Sequence, residues 1–398
     1  MNKALVGCGN PALGPRLVFF TGGTALRRLS QELTRHTHNS VHLVTPFDSG
    51  GSSAALRRAL AMPAVGDMRN RLLALADRDL TPARVLQFCA TRLADNTGQD
   101  DAQTLRQQLR DMGSSRHAVW ADMPSLFADA LRLHLNYFLQ HMSEDFDPFH
   151  ACLGNLLLAG GYLHHRRMFG PVLAFFSRLL SARGLVLPVV SENLHLAARL
   201  EDGSLVVGQH HFKVLPAPVR QVFLTVHEPD RRLSAENGRL SPPCRPPLER
   251  TAEAYLRSAA AICYPMGSFY SSIVANLLPQ GVGRAVAAAS CPKIFIPSSG
   301  RDAELHGLSV ADQAAMLVRY LRVDAPDAPT ERLLHTVLVD SRHGYYEGGL
   351  EPVERVRLAR MGVRLVDRHM VCENDPQCHV PELTVAALLE AVAPGADL

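Results

Sequence analysis

Three short stretches gather glycine with hydroxyl and carboxylate side chains, the residue types that hold phosphate. Thr21-Gly22-Gly23-Thr24 follows one apolar run and Asp48-Ser49-Gly50-Gly51-Ser52-Ser53 follows another. Tyr264-Pro265-Met266-Gly267-Ser268-Phe269-Tyr270-Ser271-Ser272 follows a third. Glycine lets backbone N–H groups approach an oxyanion with no Cβ in the way. A helix N-terminus adds unpaired N–H donors and the positive end of the dipole. Residues 21–24 match neither GxGxxG nor the lysine-bearing P-loop pattern. Taken alone they are equally a tight structural turn. A carboxylate beside a phosphate is repulsive unless a divalent cation lies between them. Asp48 is therefore a candidate Mg2+ ligand, and equally a cap for its own loop. In Gly66-Asp67-Met68-Arg69-Asn70, ahead of an apolar helix, Asp67 reads as the N-cap. Arg57, Arg58 and Arg69 could offer a cation to a phosphate, though most helical arginines are simply solvated. Gly154-Asn155 opens a further helix.

These loops need elements to hold them. Leu17-Val18-Phe19-Phe20 and Val41-His42-Leu43-Val44-Thr45 read as buried strands. The first is followed by a helix with Leu26, Leu29 and Leu33 on one face, the second by a helix through Leu60. Strand–loop–helix twice in succession predicts a parallel α/β sheet. Residues 68–140 read as mainly helical, with a polar loop near 95–101, and helices are expected from Leu153 and from Phe169. Strand character returns at 185–190, then in a hairpin turned by Asp202-Gly203. Short strands are expected at 259–263, 293–296, 336–339 and 363–366. Residues 229–249 read as a surface loop and residues 1–15 as a loosely ordered lead-in. In a parallel sheet such loops gather at the carboxyl edge, where ligands bind at a switch in strand order. The expected architecture is one three-layer α/β domain over residues 16–370, with a helical insertion at about 79–140 and residues 371–398 closing the same domain.

Bulk properties exclude several classes. The 398 residues are 47% hydrophobic, enough for a large core without disulfide or metal staples. The net charge of +3 is not gathered into a basic run, so no nucleic-acid partner is expected. No segment is long and apolar enough for a secretory signal or a membrane span, which predicts a cytoplasmic protein. The eight cysteines show no CxxC pair and read as reduced thiols. Cys372, Cys378 and His379 lack a second ligand pair for a metal site. The pairs His164-His165 and His210-His211 resemble no zinc motif, and adjacent side chains in regular structure point apart.

In order, the motifs resemble the CofD-like family, which includes 2-phospho-L-lactate transferases and YvcK-type proteins. The likeness is closer to the YvcK branch, with its TGGTG-like start, DDGGSSG and GDIRN-LxALAD. Here these are Thr21-Gly22-Gly23-Thr24-Ala25, then Asp48-Ser49-Gly50-Gly51-Ser52-Ser53-Ala54, then Gly66-Asp67-Met68-Arg69-Asn70 with Leu73-Ala74-Leu75-Ala76-Asp77. Gly154-Asn155-Leu156-Leu157-Leu158-Ala159 is similar to the family's GNLLLA. Met266-Gly267-Ser268-Phe269-Tyr270-Ser271-Ser272-Ile273 is similar to GPGSLYTSI.

The resemblance, over about residues 16–370, implies a Rossmann-like, mostly parallel sheet, a homodimer, and a nucleotide or nucleotide-sugar ligand at the loop edge. The ligand's contacts would come from Thr21, Gly22, Gly23, Thr24, Gly50, Gly51, Ser52, Ser53, Arg69, Asn70, Asn155, Gly267, Ser268 and Tyr270, with Mg2+ on Asp48 and Asp67. Some features depart from the pattern. Ser49 replaces the second Asp of DDGG, Ala25 and Ala54 replace glycines, and Met266 replaces another. These departures suggest a divergent subgroup, such as the CofD-like proteins of the GAK gene system. Two functions fit. One is Mg2+-assisted transfer of a phosphoester group from a nucleotide-linked donor to an acceptor. The other is a YvcK-like regulator that binds a UDP-sugar without turnover. A third is an assembly protein with a vestigial pocket.

Overall fold

The structure, a computed structural model, describes residues 9–94, 101–228, 242–350 and 352–392. The chain divides into two compact units. The first comprises Met1–Thr45, Arg183–Val190 and His195–Leu398; the second comprises Pro46–Ala182 and Ser191–Leu194.

The first unit is built on a parallel sheet of seven strands. These are β1 (Leu17–Thr21), β2 (Val41–Val44), β3 (Leu185–Pro188), β7 (Ala261–Tyr264), β8 (Lys293–Phe295), β9 (Thr336–Val339) and β10 (Arg364–Asp367). Their spatial order is β10-β9-β8-β7-β1-β2-β3. Every pairing is parallel; Phe19 of β1, for example, lies opposite both His42 and Cys263. Every residue of β1, β2, β7 and β9 is buried, as a strand covered on both faces must be, which explains their largely apolar sequences, interrupted by Thr21, His42 and Thr336. Helix α1 (Arg27–Leu33) follows β1 and turns Leu29 and Leu33 onto the core. Leu17 and Phe19 of β1 share that core with Val385 and Leu388 of the final helix, α13 (Pro381–Val392). Helices α10 (Val282–Ala288), α11 (Val310–Arg322) and α12 (Pro352–Arg360) carry the chain between the later strands. The chain steps outward from β1 through β2 to β3, then returns to β7 on the other side of β1. That reversal is the switch point of a Rossmann-like α/β fold.

The rest of this unit comprises α9 (Arg250–Arg257), an antiparallel sheet of β4 (His195–Leu200), β5 (Leu205–Val207) and β6 (Val219–Thr225), and a hairpin of β11 (Val371–Cys372) and β12 (Asp375–His379). Asp202-Gly203 turns the β4–β5 connection as expected: Gly203 has φ 85° and Ser204 N–H donates to Asp202 Oδ1 at 2.8 Å. Strand β6 has no counterpart in the sequence reading, because exposed Arg220 and Gln221 break its apolar run. Within the lead-in, residues 1–8 lie outside the described residues. Pro11–Leu13 form a 3-10 turn capped by Asn10, so this part is ordered. Of the expected loops, 95–100 and 229–241 also lie outside the described residues.

The second unit is helical. It holds α2 (Gly51–Leu60), α3 (Gly66–Leu75), α4 (Ala83–Ala90), α5 (Ala102–Met112), α6 (Ser125–His141), α7 (Leu153–His164) and α8 (Phe169–Leu179). The helical stretch at 79–140 falls in α4, α5 and α6. Gly160 of α7 lies so close to α6 that a Cβ there would sit 1.8 Å from the His134 carbonyl oxygen. Buried His134 packs edge-on against His165 and at a tilt against His164, Phe175 and Phe176, and burial pulls its pKa down to about 4. The adjacent histidines do not point apart: His164 and His165 have ring centroids 4.7 Å apart, and His210 and His211, on a 3-10 turn, 3.9 Å. Among the described residues no helix is long and apolar enough to cross a membrane.

Candidate functional site

In the first unit, the loops after neighbouring strands β1 and β7 leave the carboxyl edge at the switch point. Asn276, fully buried, ties them together: its Nδ2 donates to Thr21 O at 2.9 Å and to Ser272 O at 2.7 Å. Gly22 lies against Ser272, whose Oγ would be 2.5 Å from a Cβ at that position. Only glycine lets the two loops approach this closely. Gly23 has open space around it, and Thr24 is exposed. Beside them lies a cleft of about 360 Å3, lined by Thr24, Arg27, Arg28, Ser298, Ser299 and His379 among others. That is within the ~300–1,000 Å3 usual for organic ligands. Two arginines at its rim and no acid in the first turn of α1 favour an anion.

The loop after β7 behaves differently from the sequence reading. The N–H groups that begin its helical turn, Phe269–Ile273, are already taken by carboxylates. Phe269 N–H donates to Asp302 at 2.8 Å, and Tyr270 and Ser271 N–H donate to one oxygen of Glu304, each at 2.8 Å. Ser271 Oγ donates to the other Glu304 oxygen at 2.5 Å. The Tyr270 ring is buried and Gly267 N–H donates to Ser298 Oγ at 2.9 Å, while Ser268 alone of the three expected contacts is exposed. The Glu304 carboxylate thus takes the Tyr270 N–H and the Ser298 hydroxyl takes the Gly267 N–H, the donors given to phosphate. Sequence reasoning missed Asp302 and Glu304, although the polar loop after β8 belongs to the same sheet edge.

Burial, joined by the charge of Asp302, pushes the Glu304 carboxyl up to about 7 from the ordinary 4.5, against the pull of its hydrogen bonds. A raised acid is stabilising while protonated. Its contribution is complete below about pH 4.5 and is lost as pH rises through about 7, at most ~3 kcal/mol. Thermal melts across this window should show the wild type falling relative to Glu304→Gln as pH rises. Parallel curves would refute the assignment.

In the second unit, Asp48 Oδ1 accepts the Gly50 N–H at 3.0 Å, the loop-capping role. Its other oxygen points toward the start of α3, 3.4 Å from where a Cβ of Gly66 would stand. Ser53 Oγ, at 2.7 Å, and Asn155 Nδ2, at 3.7 Å, surround the same point. Gly66 therefore leaves a cradle with two oxygens, Asp48 Oδ2 and Ser53 Oγ, and an amide N–H group on its walls. Asn155 is 2% exposed and its buried Oδ1 has no hydrogen-bond partner. A carboxylate and a hydroxyl are hard oxygen donors that suit Mg2+. Helix α2 begins at Gly51, φ 46°, with no side-chain cap and no acid in its first turn, so its N-terminus is open to an anion.

Other expected contacts are turned inward. Ser52 Oγ accepts Cys152 N–H at 3.1 Å and Asn155 Nδ2 at 3.2 Å, so it also holds the start of α7. Arg69 is 7% exposed; its guanidinium donates to Cys152 Sγ and, at 2.7 Å, to Asn70 Oδ1. Arg69 and Asn70 thus hold each other, while Arg69 Nε has no hydrogen-bond partner. Asp67 is not the N-cap: Val65 holds that position and Asp67 sits in the first turn of α3, where its charge supports buried Arg71. Arg57, expected to be solvated or to meet phosphate, is buried and donates to Phe47 O, Asp48 O, Asn193 Oδ1 and Leu194 O at 2.6–3.2 Å. It positions Asp48 and touches no ligand space.

The family profile described as 2-phospho-L-lactate transferase CofD matches residues 17–371. The chain belongs to the CofD family. Curated relatives of this CofD-family chain include gluconeogenesis factors of Bacillus subtilis, 27% identical over 94% of this chain and 98% of the relative, and of Halalkalibacterium halodurans, 26% identical over 90% of each. Two crystal structures of a Bacillus halodurans protein share the fold, with TM-scores of 0.68 and 0.66 at 21% and 22% identity, each covering 94% of this chain and 99% of that one.

Proposed function

We propose that this CofD-family chain binds a nucleotide-type ligand through its phosphates, with Mg2+ held by Asp48 and assisted by Ser53. The observation that carries this reading is the cradle at Gly66, where Asp48 Oδ2 and Ser53 Oγ converge, in the unit whose α2 N-terminus has no side-chain cap. Asp67 lies next to the cradle in sequence and is the second carboxylate of the proposal. Mg2+ would neutralise phosphate charge there; α2 N–H groups and Ser53 would hold phosphate oxygens. Transfer of a phosphoester group to an acceptor is the activity that the family description suggests. Binding without turnover, in a regulatory role, is the second reading. It is favoured by buried Ser49 in place of a second carboxylate and by relatives named gluconeogenesis factors.

Calorimetry of the full chain with GDP and UDP-sugars, with Mg2+ or with a chelator, tests the proposal. Binding should require Mg2+, and Asp48→Asn should weaken it about tenfold or more while leaving the melting temperature near wild type. Mg2+-independent binding unaffected by that substitution would overturn the reading. Release of GMP on long incubation selects transfer, and an unchanged bound nucleotide-sugar selects regulation.

A further inference from the structure

A second cation site is written into the ends of β9 and β10, far in sequence from Asp48. Asp340 follows β9 directly. One of its oxygens accepts the Arg342 and His343 N–H groups at 3.2 and 3.0 Å. The other accepts the Met370 and Val371 N–H groups at 2.9 and 3.0 Å. Its lone pairs are spoken for, so it is poorly suited to bind a metal directly. It is well suited to orient a ring. His343 Nδ1 lies 3.3 and 3.4 Å from the two Asp340 oxygens, which places the ring proton on Nδ1 and leaves Nε2 as a bare lone pair. Nε2 is 4.0 Å from the carboxylate of Glu373.

His369, just after β10, is arranged in the same way. Its Nε2 is 3.2 Å from the Val371 carbonyl oxygen, which can only accept, so Nε2 carries the proton and Nδ1 is bare. The two imidazoles have centroids 4.5 Å apart at 41°. A ligand atom from each of Asp340, His343 and His369 lies within 4.8 Å of the others. Histidines whose second nitrogen is fixed by a carboxylate or carbonyl are the usual arrangement around bound metal.

We infer that His343 and His369, completed by Glu373, bind one divalent transition-metal ion, with Asp340 and the Val371 carbonyl as orienting partners. Imidazole donors select zinc, cobalt, nickel or copper over magnesium. Tetrahedral coordination needs donors roughly 3.4 Å apart, so an exposed Glu373 has only a short swing to make. Glu373 sits at the turn of the β11–β12 hairpin, and β12 contributes Gln377 and His379 to the cleft wall. The ion would fix that wall.

The test uses tag-free full-length chain stripped with a chelator, titrated with Co2+ and followed by visible absorption, then displaced by Zn2+ in excess Mg2+. One ion per chain is expected. His369→Gln, on an exposed ring that leaves folding unaltered, should lower affinity at least about tenfold, and Glu373→Gln should lower it less. Cys372→Ser, Cys378→Ser and Asp48→Asn should leave it unchanged. Absence of one-to-one binding would overturn the inference. So would equal affinity in His369→Gln, or loss of binding in either cysteine variant or in Asp48→Asn.

Discussion

Gly160→Ala is expected to destabilise the second unit by about 3 kcal/mol, near the top of the usual range for overpacking. Two effects compete. Alanine is better than glycine inside a helix by about 1 kcal/mol. The added methyl, however, would stand 1.8 Å from the His134 carbonyl oxygen and 3.0 Å from the Phe138 nitrogen. Both are backbone atoms of α6, so no rotamer change relieves the clash and the two helices must separate. Gly170→Ala in α8 is the control, because no atom lies within 4 Å of its Cβ position. Denaturant titration should show a large loss for the first and no loss, or a small gain, for the second. Equal curves would mean that α6 and α7 are not packed this closely.

Arg57→Met should be as costly, for an electrostatic reason. Its guanidinium satisfies four acceptors drawn from Phe47, Asp48, Asn193 and Leu194. Each buried acceptor left unpaired costs about 1–3 kcal/mol, so a loss of at least ~3 kcal/mol follows even after methionine refills the volume. Lysine supplies a point charge without the fork and should recover only part of it. Below the melting temperature, Arg57→Lys should also weaken Mg2+-dependent nucleotide binding, since the Asp48 carbonyl loses its anchor. A lysine variant with wild-type stability and binding would show that the fork is dispensable.

The sheet was legible because parallel strands buried on both faces are mostly apolar, with few exceptions such as His42 and Lys293. Leu17-Val18-Phe19-Phe20 admits few other readings, and the glycine and serine loops mark where such strands end. Sequence showed which residues could donate, but not which donations were already spent. The partner of the Tyr270 N–H is Glu304, and the partner of Ser52 is the backbone of Cys152. These acceptors and donors lie far along the chain, and nothing local signals them. Arg57 was hidden for the same reason: a buried arginine and a solvated one look alike until the carbonyls around it are known. The helix start at Gly66 shifted Asp67 from cap to first turn, a two-residue difference that periodicity does not fix.

The neighbours β2 and β3 have a kinetic consequence. They pair in register from Val41 and Leu185 to Val44 and Pro188, yet roughly 140 residues separate them, most of them the helical second unit. Closing an unstructured loop of that length is entropically slow. If the helices collapse first, the effective loop shortens to the distance between their ends. The edge strand then only has to pair with β2, and a nascent chain would hold β1 and β2 waiting until that insert has emerged. A lesion inside the insert, such as Gly160→Ala, would then delay completion of a sheet to which it contributes no strand.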